Sequence, residues 1–299
     1  MTATAIDPTA TGATGRRQGG GFRHFLGKWA LPAFTSLAII YLLIPIAVMI
    51  LFSFNRLDQS LGDGRSNYQW HAFSLDAWAH PFDWPGLSDA LRISLTVAVV
   101  STIGATILGT LIGLALTRYS FKGRGIVNGL IFLPMATPEV VMGASLLTLF
   151  VATALPPLRG GVPTLYPTGF ITILIAHIMF NISYVVVTVK ARLAGFDRRV
   201  EEAAMDLGAN EFVTFWKVTF PLIFPGIMAA ALLAFSLSID DFVITSFVSG
   251  TTNTFPILVY SIQKNALPVQ INVIGSVIFF AAVGLVAIST IVSARRRPK

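Results

Sequence analysis

Three carboxylates interrupt apolar runs. Glu139 lies in PMATPEVVMGASLL (134–147), and the adjacent Asp240 and Asp241 lie in FSLSIDDFVITSFVSG (235–250). A charge at the centre of a bilayer costs at least about 2.5–3.5 kcal/mol on insertion scales, so each acid calls for a reason. One reason is a path for a cation: an ammonium that sheds water needs acidic or aromatic partners. The other is structural. Thr137-Pro138-Glu139 fits a helix start, with Thr137 as N-cap, Pro138 in the first position and Glu139 stabilised by the helix dipole. Ser238-Ile239-Asp240-Asp241 fits a capping box in which Asp241 reaches back to the backbone of Ser238. Neighbouring helical residues point about 100° apart, so the two aspartates cannot face one path equally.

A second cluster has a different character. Residues 201–221, EEAAMDLGANEFVTFWKVTFP, hold Glu201, Glu202, Asp206, Glu211 and Lys217. The stretch is too polar to cross a membrane and too regular for a loop. Ala203, Ala204 and Leu207 recur at helical spacing, as do Phe212, Phe215 and Trp216. Gly208 suits the positive φ of a helix C-terminus, Asn210 suits an N-cap, and Pro221 and Pro225 mark entry into the next apolar run. The spacing predicts two short helices with a bend at Gly208. The acidic residues argue against a helix resting on anionic lipid, and for a protein partner.

The elements that must carry these groups are membrane spans. Of 299 residues 54% are hydrophobic and 12% charged, and mean hydropathy is +0.74; soluble domains carry roughly 25% charged residues. Apolar runs at about 31–54, 91–117, 126–155, 169–191, 221–249 and 271–293 each approach or exceed the roughly 20 residues a spanning helix needs. The fifth, roughly 43 Å as a straight helix, is longer than a core of about 30 Å and favours a mid-span break. Residues 1–20 are rich in Thr, Ala and Gly and read as disordered; the first apolar run reads as a retained helix, not a signal peptide.

Charge sets orientation. Arg16, Arg17, Arg23 and Lys28 precede span one; Arg118, Lys122 and Arg124 follow span two. Lys190, Arg192, Arg198, Arg199 and Lys217 follow span four, and Arg295, Arg296, Arg297 and Lys299 end the chain. The other side holds only Arg56, Arg65, Arg92, Arg159 and Lys264. The positive-inside rule places both termini and residues 201–221 in the cytoplasm. The net charge of +7 reflects this asymmetry, with no basic-aromatic surface for nucleic acid. With no cysteine there is no disulfide, thiol nucleophile or Cys-type zinc site. The four histidines, His24, His71, His80 and His177, have no metal-ligand spacing; His177, alone in an apolar run, reads as a packed or interfacial residue. No G-x-x-x-x-G-K-[ST] loop is present. The expected outer loops combine Tyr68, Trp70, Trp78 and Trp84 with Asp58, Asp63, Asp76, Asp83 and Asp89, which fits an interfacial aromatic belt or a surface that guides a cation.

Glu202-Ala203-Ala204, three residues, Gly208, nine residues, then Val218-Thr219-Phe220-Pro221 resembles the EAA loop of ABC-importer permeases. Val218 and Phe220 replace the usual Ile and Leu. The segments 134–147, 190–212 and 235–250, with SFN (53–55) and RYSFKGRG (118–125), are similar to the spermidine/putrescine branch, its second permease subunit in particular. The resemblance spans about 31–293, loosely over 55–90.

The resemblance implies an all-α membrane protein with six transmembrane helices, a type I ABC-importer permease fold, N-in and C-in, in the cytoplasmic (inner) membrane of a prokaryote. Its divisions would be a tail (1–30), a first helix (31–54), an outer loop (55–90), a permease domain (91–293) and a basic tail (294–299). Glu202, Ala203, Ala204, Gly208, Glu211 and Pro221 would couple to an ATPase dimer, which binds ATP and Mg. A second permease subunit, an extracytoplasmic solute-binding protein and membrane lipid complete the implied partners. Acids at the positions of Asp240, Asp241 and Glu139 are associated with uptake in that family; Ser238, and Trp78, which matches a tryptophan of the family, join the implied substrate path. The implied solute is a polyamine or related organic cation. Importers of amino-acid derivatives or phosphonates, an ion-coupled secondary carrier that would leave the EAA loop unexplained, and a channel or scaffold are the alternatives.

Overall fold

A computed structural model describes residues 21–56, 69–152, 168–263 and 267–295. Among these the chain is helical; an isolated β-bridge pairs Asn55 with Phe73. The chain divides into two compact units, residues 1–54 with 272–299, and residues 55–271.

In the first unit, α1 (Gly21–Phe52) contains Pro32 and Pro45. No residue in the most apolar window of its span Trp29–Phe52 is buried, so Leu31, Phe34, Leu42 and their neighbours offer an apolar face suited to lipid or a partner.

The second unit begins with α2 (Asp76–Ala79) and α3 (Leu87–Arg118). Then come α4 (Arg124–Ala136), α5 (Glu139–Ala152) and α6 (Phe170–Ala194). Two short helices, α7 (Arg199–Asp206) and α8 (Glu211–Thr214), precede a π turn (Phe215–Thr219) that runs into α9 (Phe220–Ile239). The unit closes with α10 (Val243–Val248) and α11 (Phe255–Ile262). The last helix, α12 (Val269–Arg295), passes into the first unit, where Gly275 leaves room for Met49: a Cβ there would lie 2.8 Å from its Sδ.

The heart of the second unit is α3 against α6 and α9. On α3 the buried residues Ala98, Ser101, Ala105, Gly109 and Gly113 recur every three or four positions, one helical face. They are small because α6 comes close: a Cβ on Gly109 would sit 2.6 Å from Val185 Cγ1, and one on Gly113 3.3 Å from Val189 Cγ1. Small faces let helix backbones approach in a membrane, where packing replaces the hydrophobic effect as the main attraction. On α9, Ile223, Ile227, Ala230, Ala234 and Ser238 form the matching face. Gly226 lies against the Arg192 side chain, 2.6 Å from a built Cβ to Cγ, while Arg192 Nη2 donates to Leu222 O at 3.1 Å.

Four helices are long and apolar enough to cross a membrane among the described residues, or five if one bent pair counts as a single span. The bent pair is α4 with α5. The run 126–155 is expected as one straight span; it turns by 109° between Ala136 and Glu139. Pro138 supplies the reason: it disfavours helix at Thr137, which is extended at φ −82, ψ 132. Thr137 does not cap α5 through its side chain, because its hydroxyl donates back to Leu133 O at 2.7 Å. α5 does begin at Glu139. The expected fifth span breaks after Ile239, where a mid-span break is predicted by its length.

Candidate functional site: a docking segment and a broken helix

The segment 199–221 is built by local rules. α7 ends in a Schellman motif: Ala209 N–H donates to Ala204 O at 3.1 Å and Gly208 N–H to Met205 O at 2.9 Å, with Gly208 at φ +89. Two residues on, Asn210 accepts from Val213 N–H at 2.8 Å and caps α8. The two short helices and the bend are as the spacing predicts. The second helix is not separated from the span that follows. Pro221 has no N–H to give Lys217 O, and just before it Phe220 N–H reaches Phe215 O, one residue further back than in an α-helix.

Of the paired glutamates the inner one is Glu201. Arg118, in the last turn of α3, and the Thr219 hydroxyl both donate to Glu201 Oε1, and Arg198 Nη2 donates to Thr117 O at 3.0 Å. α7 is thus tied to the end of α3. Glu202 and Ala203 face outward, Ala204 is half-buried, and Glu211 and Pro221 are exposed. Leu207 is 90% exposed and Phe212 72%. Two large apolar side chains presented to water beside acids suit a protein groove. Sequence reasoning missed Glu201; its partners lie 83 and 18 residues away.

The broken helix carries the buried acid. Asp241 Oδ2 accepts from Thr245 N–H at 2.8 Å and from Thr245 Oγ1 at 2.6 Å, so the carboxylate caps α10. It does not reach back to Ser238, and the expected capping box is corrected. Ser238 is 4% exposed and bonds His177 Nδ1 at 2.6 Å and Ser101 Oγ at 3.0 Å. The other ring nitrogen of His177 lies 2.9 Å from Thr245 Oγ1 and 3.4 Å from Asp241 Oδ2. His177 is packed, as predicted, and its network was not legible. Its partners are 61 and 68 residues away.

Asp240 points out of this cluster and is exposed. No hydrogen bond or ion pair to another side chain holds it among the described residues. Ser101 lies near the midpoint of the 32-residue α3, so the break sits roughly 20 Å from either end of that helix at about 1.5 Å per residue. Glu139 is exposed at the start of α5. α5 packs on α10, with Phe247 Cδ2 2.5 Å from a Cβ built on Gly143, in a core that includes Met142, Leu146, Ile244 and Val248. Helices bearing Glu139 and the aspartates therefore share one core, while the carboxylates themselves are not bonded together. Trp78 is half-buried on α2. Among the described residues no cluster of His, Asp and Glu could hold a metal.

Close-packed helices long and apolar enough to cross a membrane, a buried acid at a helix break and a charged pair of short helices outside the apolar runs are the features of a polytopic membrane protein. The chain belongs to the family described as binding-protein-dependent transport system inner membrane component, which residues 105–296 match. It is similar to the spermidine/putrescine transport system permease protein PotC of Haemophilus influenzae, 34% identical over 262 residues, 87% of this chain and 95% of that protein. It is 36% identical over 252 residues to the putrescine transport system permease protein PotI of Escherichia coli K12, 84% of this chain and 85% of that one. In fold it is similar to a bacterial alginate ABC transporter solved with an alginate pentasaccharide-bound periplasmic protein. There the TM-score is 0.62 at 18% identity, covering 89% of this chain and 93% of that chain. The all-α permease fold is that of ABC importers.

Proposed function

We propose that this chain is one of two permease subunits of an ATP-driven importer that moves a polyamine, putrescine or spermidine, across the inner membrane. The observation that supports the solute most is similarity to polyamine permeases along nearly their whole length. The geometry agrees: at the helix break Asp240 offers an exposed carboxylate with no side-chain partner among the described residues, which attracts an ammonium and repels an anionic solute such as a phosphonate. Glu139, on a helix packed against α10, is a second carboxylate for the same path, and Trp78 a cation–π partner further out.

Transport here is alternating access driven from outside the chain. Both termini and residues 199–221 face the cytoplasm. There an ATPase dimer, which holds ATP and Mg, receives α7 and α8 in a groove. Leu207 and Phe212 supply apolar anchors, with Glu202 and Glu211 on the rim. The Arg118–Glu201–Thr219 bonds carry the displacement of α7 to α3 and α9. A solute-binding protein delivers the cation on the opposite face.

The test is competition in proteoliposomes holding the complete transporter and its binding protein. Unlabelled putrescine and spermidine are expected to suppress uptake of labelled putrescine. Suppression by an amino-acid derivative or a phosphonate instead, with no effect of either polyamine, would refute the assignment.

A further inference from the structure

His177 joins α3, α6 and the α9–α10 break through one directed chain of hydrogen bonds. With the imidazole neutral, counting protons assigns the direction. Thr245 commits its hydroxyl to Asp241 Oδ2 at 2.6 Å, so its oxygen is left to accept from His177 Nε2–H at 2.9 Å. In the neutral ring Nδ1 then accepts from the Ser238 hydroxyl at 2.6 Å, and Ser238 accepts from Ser101 at 3.0 Å. Every donor has an acceptor. His177 is 1% exposed, and Ser101 and Thr245 are fully buried, so no water replaces a lost partner and the loss of one bond leaves a neighbour unsatisfied.

The chain acts on the short α10 from one end. Asp241 and Thr245 fix its first turn. At the other end Thr172 Oγ1 donates to Val248 O at 2.7 Å, and Gly250, at φ +56, fits against Thr168 O, 2.5 Å from a built Cβ. α10 is clamped to α6 at both ends. Of the three residues that link it to α9, Asp241 is thereby held turned in and Asp240 turned out.

We propose that His177 is a positioning residue for transport: through Ser238 and Thr245 it holds the α9–α10 break so that Asp241 stays locked as a cap and Asp240 faces the solute. This rests on the reading of Asp240 as a cation contact. The experiment is a double-mutant cycle on the complete transporter in proteoliposomes, with labelled putrescine, reading half-saturating concentration and maximal rate separately. His177→Ala raises the half-saturating concentration about tenfold, the scale of one lost polar contact to an ammonium. His177→Gln, whose amide can accept from Ser238 and donate to Thr245, recovers most of that loss. In the Asp240→Asn background His177→Ala adds less than about twofold, because it acts through the carboxylate already removed. Full additivity, or a loss confined to the amount of assembled complex, overturns the proposal while leaving the Asp240 reading standing. Wild-type uptake by Asp240→Asn overturns both. If His177→Ala does not assemble, Ser238→Ala, which removes one hydroxyl from the chain, carries the same cycle with the same two outcomes.

Discussion

Replacing Gly208 isolates backbone conformation from contact. A Cβ built on Gly208 meets nothing within 4 Å, so the first atom of an added side chain has open space. Its φ of +89 is the whole constraint. A residue with a Cβ costs roughly 1–2 kcal/mol in the left-handed region, and a β-branched one more. Relaxing that strain breaks the Schellman bonds from Ala209 and Gly208, each contributing about 0.5–1.5 kcal/mol. At about 1.4 kcal/mol per decade, a penalty near 2 kcal/mol lowers the bent population some thirtyfold relative to its alternatives. Gly208→Val is therefore expected to insert in the membrane at normal level, lose at least about tenfold of ATP-dependent uptake and co-purify poorly with the ATPase. Gly208→Asn, whose side chain tolerates positive φ, stays within a few-fold of wild type, and Gly208→Ala falls between. Normal uptake by Gly208→Val would refute the bend as a requirement. Asn as damaging as Val would show that side-chain volume at the docked surface matters, not φ.

The two aspartates should separate on one substitution. Both bonds to Asp241 end on a single oxygen, so the Asn carbonyl keeps them, and Asp241→Asn lowers thermal stability by about 1–2 kcal/mol. Asp240→Asn is expected to leave stability alone and cut polyamine uptake roughly ten- to hundredfold, one charge-assisted bond to an ammonium; the reverse pattern in melting and uptake would exchange their roles. The paired glutamates should separate likewise. Glu202→Lys weakens ATPase pull-down without destabilising the chain, whereas Glu201→Lys places a cation against Arg118 and lowers its melting temperature; identical behaviour would remove the distinction between rim and latch. In this cysteine-free chain, Ser88→Cys should react with an impermeant thiol reagent from outside and Asp197→Cys only after permeabilisation. Inverted labelling would overturn the orientation.

Local chemistry made part of this legible. Gly208 and Asn210 declare the bend because a positive-φ site and an N-cap each depend on residues a few positions away. The break near Asp240 was signalled by a run too long for the bilayer. What stayed hidden depends on distant partners. Nothing near Asp241 in the chain announces that it is the buried member of the pair, since His177 arrives from α6. Ser238 fits a capping box with Asp241, yet its hydroxyl is claimed by His177 and Ser101, a tertiary competition that no motif encodes. Glu201 and Glu202 look alike until Arg118 selects one. The turn at 137–138 escaped because hydropathy ignores direction; Pro138, read as a helix start, already held the signal for a turn.

The most direct test asks what drives transport. Proteoliposomes containing this chain with its partner permease, ATPase and binding protein are loaded with ATP and Mg and treated with ionophores that abolish every ion gradient, and labelled putrescine uptake is followed. A permease worked through the segment 199–221 predicts accumulation that persists without gradients and stops when ATP is replaced by ADP. Uptake that collapses with the gradients and is indifferent to ATP would contradict it, and would make Glu139, Asp240 and Asp241 candidate ion sites of a secondary carrier.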